Sequence, residues 1–236
     1  MSYATPVTKP SIRFARSARQ LAYIGLVLLC ALYAPVLETI LAAILAFLIT
    51  AMETRAPLRA IGLSAPARRG RTILTGVLVG IALLLFSKLL LTPLIEAATG
   101  AERDLTRLDF VRGDLVAYLS FLPLLWLSAA LCEEVVYRGF LITRLLEAFG
   151  STTWLSKAAA VTISSVAFAL VHAYQGPAGL VLTGVMGVLL SVLFVVSRFN
   201  LWCNVIVHGV YDTLSLGLIW LSWDHTLARW GRLLIS

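Results

Sequence analysis

Residues 131–140 read LCEEVVYRGF, which places the charged residues Glu133, Glu134 and Arg138 inside the apolar run 115–147. An ionisable side chain within a membrane span costs about 2.5–3.5 kcal/mol on insertion scales. Such residues are therefore retained mainly where they face a polar cavity, a partner or a reaction. The run predicts a membrane helix that carries a functional site.

The composition of the whole chain agrees with a membrane protein. Of the 236 residues, 60% are hydrophobic and 13% are charged, and the mean hydropathy is +0.92. A soluble domain has about a quarter of its residues charged. Cys30, Cys132 and Cys203 lie in apolar stretches, which favours a packing role over disulfide bonds.

Six apolar runs predict an all-α fold, a polytopic bundle of transmembrane helices. The runs are 21–51, 72–95, 115–147, 156–172, 178–197 and 200–222. A helix needs about 20 residues to cross a bilayer, so most runs cross once. The first run is ambiguous, since it fits one overlong helix or a hairpin that turns near Pro35. We favour the hairpin, which predicts about seven to eight spans.

The net charge of +7 comes from basic residues in short segments that flank the apolar runs. This pattern favours orientation signals beside anionic lipid headgroups over nucleic-acid binding. Residues 1–20 and the loop 52–71 are both basic. We therefore expect both segments, and hence the N-terminus, to be cytoplasmic.

Helical spacing separates the charged residues of the 131–140 stretch. Glu134 and Arg138 are four positions apart, so a charge-assisted pair is expected on one face. Glu133 is turned about 100° away on an α-helix. It has no local counter-ion and is free to point across a helix interface.

Two later runs carry histidines in the same spacing. Phe168 and His172 are four positions apart, as are His208 and Asp212. If 115–147 and 156–172 are antiparallel helices, Glu133 and His172 lie at nearly the same depth. A carboxylate and two imidazoles that converge in a cavity are what activation of a hydrolytic water requires.

The three motifs resemble those of a known family. They are Glu133-Glu134-x-x-x-Arg138, Phe168-x-x-x-His172 and His208-x-x-x-Asp212. In this order, on successive membrane helices, they are similar to the motifs of the CPBP family, which includes type II CAAX prenyl proteases and bacteriocin-processing relatives. The resemblance covers roughly residues 60–222. The third motif ends in Asp212, as is common among prokaryotic members, rather than in the Asn of many eukaryotic ones.

The resemblance implies an intramembrane endopeptidase. Glu133 and His172 would activate the attacking water, and His208 and Asp212 would stabilise the oxyanion. The substrate would be a hydrophobic peptide or a membrane-anchored protein, prenylated or not. An alternative is a non-catalytic membrane chaperone or regulator on the same fold, and a proton-coupled transporter is less favoured because internal repeats are lacking.

The resemblance also implies roles for the remaining motif residues. Glu134 and Arg138 would either hold the shape of the site or bind substrate. A metal is not expected; if one is present, Zn²⁺ would be bound by Glu133, His172 and His208.

The charge and hydropathy pattern, together with the resemblance, suggests a division of the chain and a location. We expect a basic cytoplasmic N-terminus at 1–20, an intramembrane protease domain at 21–222 and an interfacial C-terminal tail at 223–236. The location would be the plasma (inner) membrane of a prokaryote, with membrane lipids as partners and no nucleic acid.

Other polar residues in the apolar runs are not assigned to the site. Lys88 is expected to snorkel towards the membrane surface, and Glu38 to lie near the hairpin turn. His225 is expected in an interfacial anchor. Gly76 and Gly80 form a GxxxG pattern that predicts helix packing.

Overall fold

The computed structural model describes residues 10–32 and 37–235, and every regular element within them is a helix. The main helices are α1 (Pro10–Leu32), α2 (Leu37–Glu53), α3 (Arg69–Thr99), α4 (Leu115–Phe149), α5 (Trp154–Leu170), α6 (Gly176–Val196), α7 (Leu201–Trp220) and α8 (Asp224–Ile235). Short helical segments lie at Pro57–Ala60, Thr106–Val111 and Ala173–Gln175. The predicted all-α architecture is confirmed.

Most of these helices have the length or the composition of membrane helices. Within the described ranges, four segments are long and apolar enough to cross by themselves: Ala15–Leu32, α3, α4 and Ala173–Val196. Helices α7 and α8 pass the same test as a pair bent by 99°, and α2 and α5 are apolar but shorter. A polytopic membrane bundle is confirmed, while seven to eight spans remain a prediction. The turn expected at Pro35 lies outside the described residues, although α1 and α2 do pack together.

Helix α4 lies at the centre of the bundle. It packs against α2, α5 and α7, and every side chain from Val135 to Ile142 is buried. Between Trp126 and Ile142 it is wound as a π-helix, which corrects the α-helical geometry expected from sequence. Pro123 precedes the wider winding; its ring and its missing amide hydrogen disturb the α-helical hydrogen bonds.

Glycines allow the helices around the centre to approach closely. A Cβ atom on Gly80 would lie 2.9 Å from the Val210 side chain in α7, and one on Gly76 would lie 2.6 Å from Ile206. Both glycines therefore bring α3 against α7, as the GxxxG pattern predicts.

A buried polar cluster joins α1, α2 and α4 at one end of the bundle. Arg144 donates hydrogen bonds to Gln20 Oε1 (3.2 Å) and Thr50 Oγ1 (3.1 Å), and it forms an ion pair with Glu53. Because a buried charge without a partner is costly, the cluster ties the first two helices to α4.

At the other end, residues 100–113 form a strap across the bundle. Arg103 Nε donates a 2.7 Å hydrogen bond to Gln175 Oε1. The guanidinium of Arg107 lies 4.1 Å from the centre of the Tyr174 ring. The strap is therefore attached to the turn between α5 and α6.

Asp104 stabilises the bend of the strap. One carboxylate oxygen accepts hydrogen bonds from the Thr106 hydroxyl (2.7 Å) and the Thr106 amide (2.9 Å). These hydrogen bonds lower the pKa of Asp104 below its ordinary value of 3.8, because they favour the ionised form.

Candidate active site

A cavity of about 210 Å³ lies between α3, α4, α6 and α7, beneath the strap. The four residues predicted to be catalytic all line it: Glu133, His172, His208 and Asp212. Helices α4 and α7 and the turn after α5 therefore bring together residues that are up to 79 positions apart in the chain. The convergence expected from helix depth is present.

Glu133 and Glu134 are neighbours in sequence but have different surroundings. The Glu133 side chain is 13% exposed and faces the cavity, where Oε2 lies 3.9 Å from His208 Nε2. Glu134 is fully buried and does not line the cavity. Only Glu133 is thus placed to meet a water molecule or a substrate.

The pair expected between Glu134 and Arg138 is present and fully buried. Arg138 Nη1 donates a 2.9 Å hydrogen bond to Glu134 Oε1. Arg138 Nη2 donates a 3.3 Å bond to the Gly187 carbonyl in α6, and its guanidinium lies 4.4 Å from the Phe168 ring centre. This position favours the first of the two expected roles, holding the shape of the site, because neither residue lines the cavity.

Glu134 also connects α4 to α7. Its Oε1 accepts a 2.9 Å hydrogen bond from His208 Nδ1, and its Oε2 accepts a 3.1 Å bond from Asn204 Nδ2. Asn204 donates in addition to the Leu190 carbonyl in α6 at 2.7 Å. Asn204 was not predicted from the sequence as a residue of the site. Its signal was a lone amide in an apolar run, one turn before His208 on the same face.

His208 lies between three carboxylates. Its Nδ1 donates to Glu134, while Nε2 lies 3.3 Å from Asp212 Oδ2 and 3.9 Å from Glu133 Oε2. The expected contact between His208 and Asp212 is therefore present. Since Nδ1 is held by a buried partner, Nε2 is the nitrogen that faces the cavity.

His172 lies just beyond the end of α5, which corrects the expectation that 156–172 is one helix. Helix α5 ends at Leu170, and the chain turns there towards α6. The Nδ1 atom of His172 lies 2.8 Å from the Phe168 carbonyl oxygen. Because a carbonyl oxygen only accepts, Nδ1 carries the hydrogen, and Nε2 is left to accept a proton.

Phe168 separates the two histidines. Its ring centre lies 4.8 Å from that of His172 and 6.2 Å from that of His208. The Tyr137 ring packs edge-on against it at 5.1 Å. Phe168 therefore acts by packing against both imidazoles.

Lys88 lies at the cavity, which corrects the expectation that it snorkels to the membrane surface. The residue is 4% exposed and lines the cavity wall. A π-helical turn at Ser87–Leu91, just before Pro93, directs this part of α3 inwards. Next to it, the Ser87 and Tyr211 hydroxyls form a 3.0 Å hydrogen bond. Whether a lone charged side chain in a span faces lipid or a cavity depends on which face of its helix is buried. The sequence did not reveal that face for Lys88.

The zinc site named as an alternative stays a prediction. In the described part of the chain, no three His, Cys, Asp or Glu side chains form a group that could hold a metal ion.

One family model matches the chain. Its description is "Type II CAAX prenyl endopeptidase Rce1-like", and it matches residues 115–214, from the start of α4 to within α7. The matched segment contains all three motifs. No curated protein and no solved structure gives a significant match. The match supports the resemblance of residues 115–214 to the CAAX-type endopeptidases of the CPBP family.

Proposed function

We propose that the protein hydrolyses a peptide bond in a hydrophobic peptide or a membrane-anchored protein, with Glu133 as the general base. The observation that carries this proposal is the separation of the two acids. Glu134 is fully buried in a network with Arg138, whereas Glu133 faces the cavity together with His172. A carboxylate kept free of such a network is available to take a proton from water.

In the proposed reaction, Glu133 accepts a proton from a water molecule as the water oxygen attacks the carbonyl carbon. His172 assists through Nε2, since its Nδ1–H is held by the Phe168 carbonyl. The C–N bond then breaks, and the proton passes to the leaving amine. The first products are a carboxylic acid and an amine, and transfer of the acid proton to the amine gives a carboxylate and an ammonium group, so atoms and charge balance.

His208 and Asp212 act on the other side of the carbonyl group. His208 Nε2 donates to the developing oxyanion, and the Nδ1 contact to Glu134 holds the ring in place. Asp212, 3.3 Å from Nε2, orients the same nitrogen. The reaction needs no metal in this proposal, so cleavage is expected to survive a chelator.

A quenched hydrophobic peptide library tests the proposal with the purified protein in detergent. We expect Glu133→Gln and His172→Ala to lower kcat/KM by about 100-fold or more, because each removes a proton-transfer group. The matched controls are Glu147→Gln and His225→Ala. Neither residue lines the cavity, and their side chains are 40% and 54% exposed.

The outcomes separate the proposal from its alternative. Loss of cleavage in both site variants, with both controls active, supports the endopeptidase. If the wild type cleaves no peptide and Glu133→Gln still restores the function of a deletion strain, the alternative of a membrane chaperone or regulator is correct. Loss of cleavage in chelator, restored by Zn²⁺, would overturn the metal-independent reaction.

We further propose that the N-terminus is cytoplasmic and that the protein resides in a prokaryotic plasma membrane. The basic segments 1–20 and 52–71 support this orientation. Reporter fusions after residues 60 and 105 test it, since the first is expected inside and the second outside.

A further inference from the structure

We propose that Lys88 binds a carboxylate of the substrate and thereby selects peptides that carry a negative charge near the scissile bond. The inference rests on the proposed peptidase function and assigns part of its substrate class. The shared chemistry is a carboxylate, which a peptide can supply from its C-terminus or from an acidic side chain.

The first observation is that Lys88 is buried at the cavity without a partner of its own. It is more than nine-tenths buried and lines the cavity wall. None of the hydrogen bonds and ion pairs formed within residues 10–32 and 37–235 involves it. Burying an unpaired ammonium group is costly, so the position favours an anion that arrives with the substrate.

The second observation is that the acids around Lys88 already have partners. The acids that act on it electrostatically are Asp224 and Glu96. Asp224 accepts two 3.0 Å hydrogen bonds from Arg112, and Glu96 forms a 3.1 Å ion pair with Arg232. Neither acid is left to neutralise Lys88.

The third observation is a second cation at the same cavity. Arg103 lines the same cavity and lies close enough to act electrostatically on both Lys88 and His172. Its Nε is held by Gln175, so the strap fixes its position. The cavity therefore has a cationic part, formed by Lys88 and Arg103, and a catalytic part that contains Glu133.

This division predicts how a peptide binds. With its scissile carbonyl beside Glu133 and His172, a peptide extends along the cavity to the cationic part. A carboxylate there forms charge-assisted hydrogen bonds in a site shielded from water. An amide in the same place leaves the ammonium unpaired, so the charged peptide binds more tightly.

Four versions of one cleaved library peptide test the proposal. They combine a free or amidated C-terminus with Glu or Gln near that end. For the wild type, we expect kcat/KM to be at least about ten-fold higher for the carboxylate-bearing version. Whichever of the two carboxylates is required identifies the source.

Lys88→Met removes the charge while keeping most of the side-chain length. We expect this variant to lose the preference through a higher KM for the carboxylate-bearing peptide, and we expect Lys88→Arg to keep the preference. The matched control is Lys157→Met, because Lys157 does not line the cavity. Equal cleavage of all four peptides by the wild type, or a preference that survives in Lys88→Met, overturns the proposal.

Binding to Glu133→Gln protein separates this proposal from the proposed reaction. Fluorescence anisotropy with labelled versions of the same four peptides needs no cleavage. Tighter binding of a carboxylate-bearing peptide, lost in Glu133→Gln/Lys88→Met, supports the carboxylate site even if the wild type cleaves nothing. Equal affinity for all four peptides overturns it, and Glu133-dependent cleavage would leave the peptidase proposal intact.

Discussion

Replacing Arg138 by Met removes a buried guanidinium while nearly preserving the length of the side chain. In the native protein Arg138 donates to Glu134 at 2.9 Å and to the Gly187 carbonyl at 3.3 Å, and it lies over the Phe168 ring. Glu134 is fully buried, so no water replaces the lost partner. The variant leaves a carboxylate that retains hydrogen bonds only from His208 and Asn204.

The size of the effect follows from burial. Removing one partner of a buried ion pair costs about 3–5 kcal/mol, whereas an exposed pair contributes less than about 1 kcal/mol. Because both side chains are 0% exposed, we expect Arg138→Met to lie in the first class. The double variant Glu134→Met/Arg138→Met leaves no uncompensated charge and should regain most of the stability. It should remain inactive, since His208 loses the acceptor that holds Nδ1.

The free energy of unfolding, measured by SDS titration of the protein in mixed micelles, checks this prediction. Asp109→Asn is the matched control. Asp109 forms an exposed ion pair with Arg112 at 2.9 Å, and its loss should cost less than about 1 kcal/mol. A change of less than about 1 kcal/mol for Arg138→Met, or a double variant less stable than the single one, would refute the reasoning.

Three further predictions concern the site and the strap. Asn204→Leu should lower the free energy of unfolding by about 1–3 kcal/mol, because a buried carboxylate and a carbonyl lose their donor; SDS titration measures it. Gly139→Ala should lower the melting temperature in detergent, since its Cβ would lie 2.5 Å from the Ile61 carbonyl oxygen. The lowered pKa of Asp104 means that its hydrogen bonds to Thr106 stabilise the strap fully above pH 3.8 and are lost as the pH falls through the lowered value. The Thr106 amide resonance should titrate below pH 3.8, and an ordinary midpoint would contradict this.

The sequence alone was sufficient for the fold class and for most of the candidate site. Apolar runs of about 20 residues allow little other than helices in a membrane, because each backbone polar group must be satisfied within its own segment. The pairs Glu134 with Arg138 and His208 with Asp212 were predictable because contacts one helical turn apart depend on local geometry. The order of the three motifs along the chain predicted the family resemblance, and the family match over residues 115–214 agrees with that prediction.

Other features depended on contacts between distant segments. Lys88 faces the cavity because of the side of α3 that packs against α6 and α7. No local sequence pattern encodes which side that is. The role of Asn204 depends on the approach of α7 to Glu134, and the end of α5 before His172 depends on the turn to α6. The sequence thus determined an α-helical membrane protein and the ionisable residues of its three motifs. Only the tertiary structure decided which acid faces the cavity and which cation joins it, because those contacts link residues far apart in the chain.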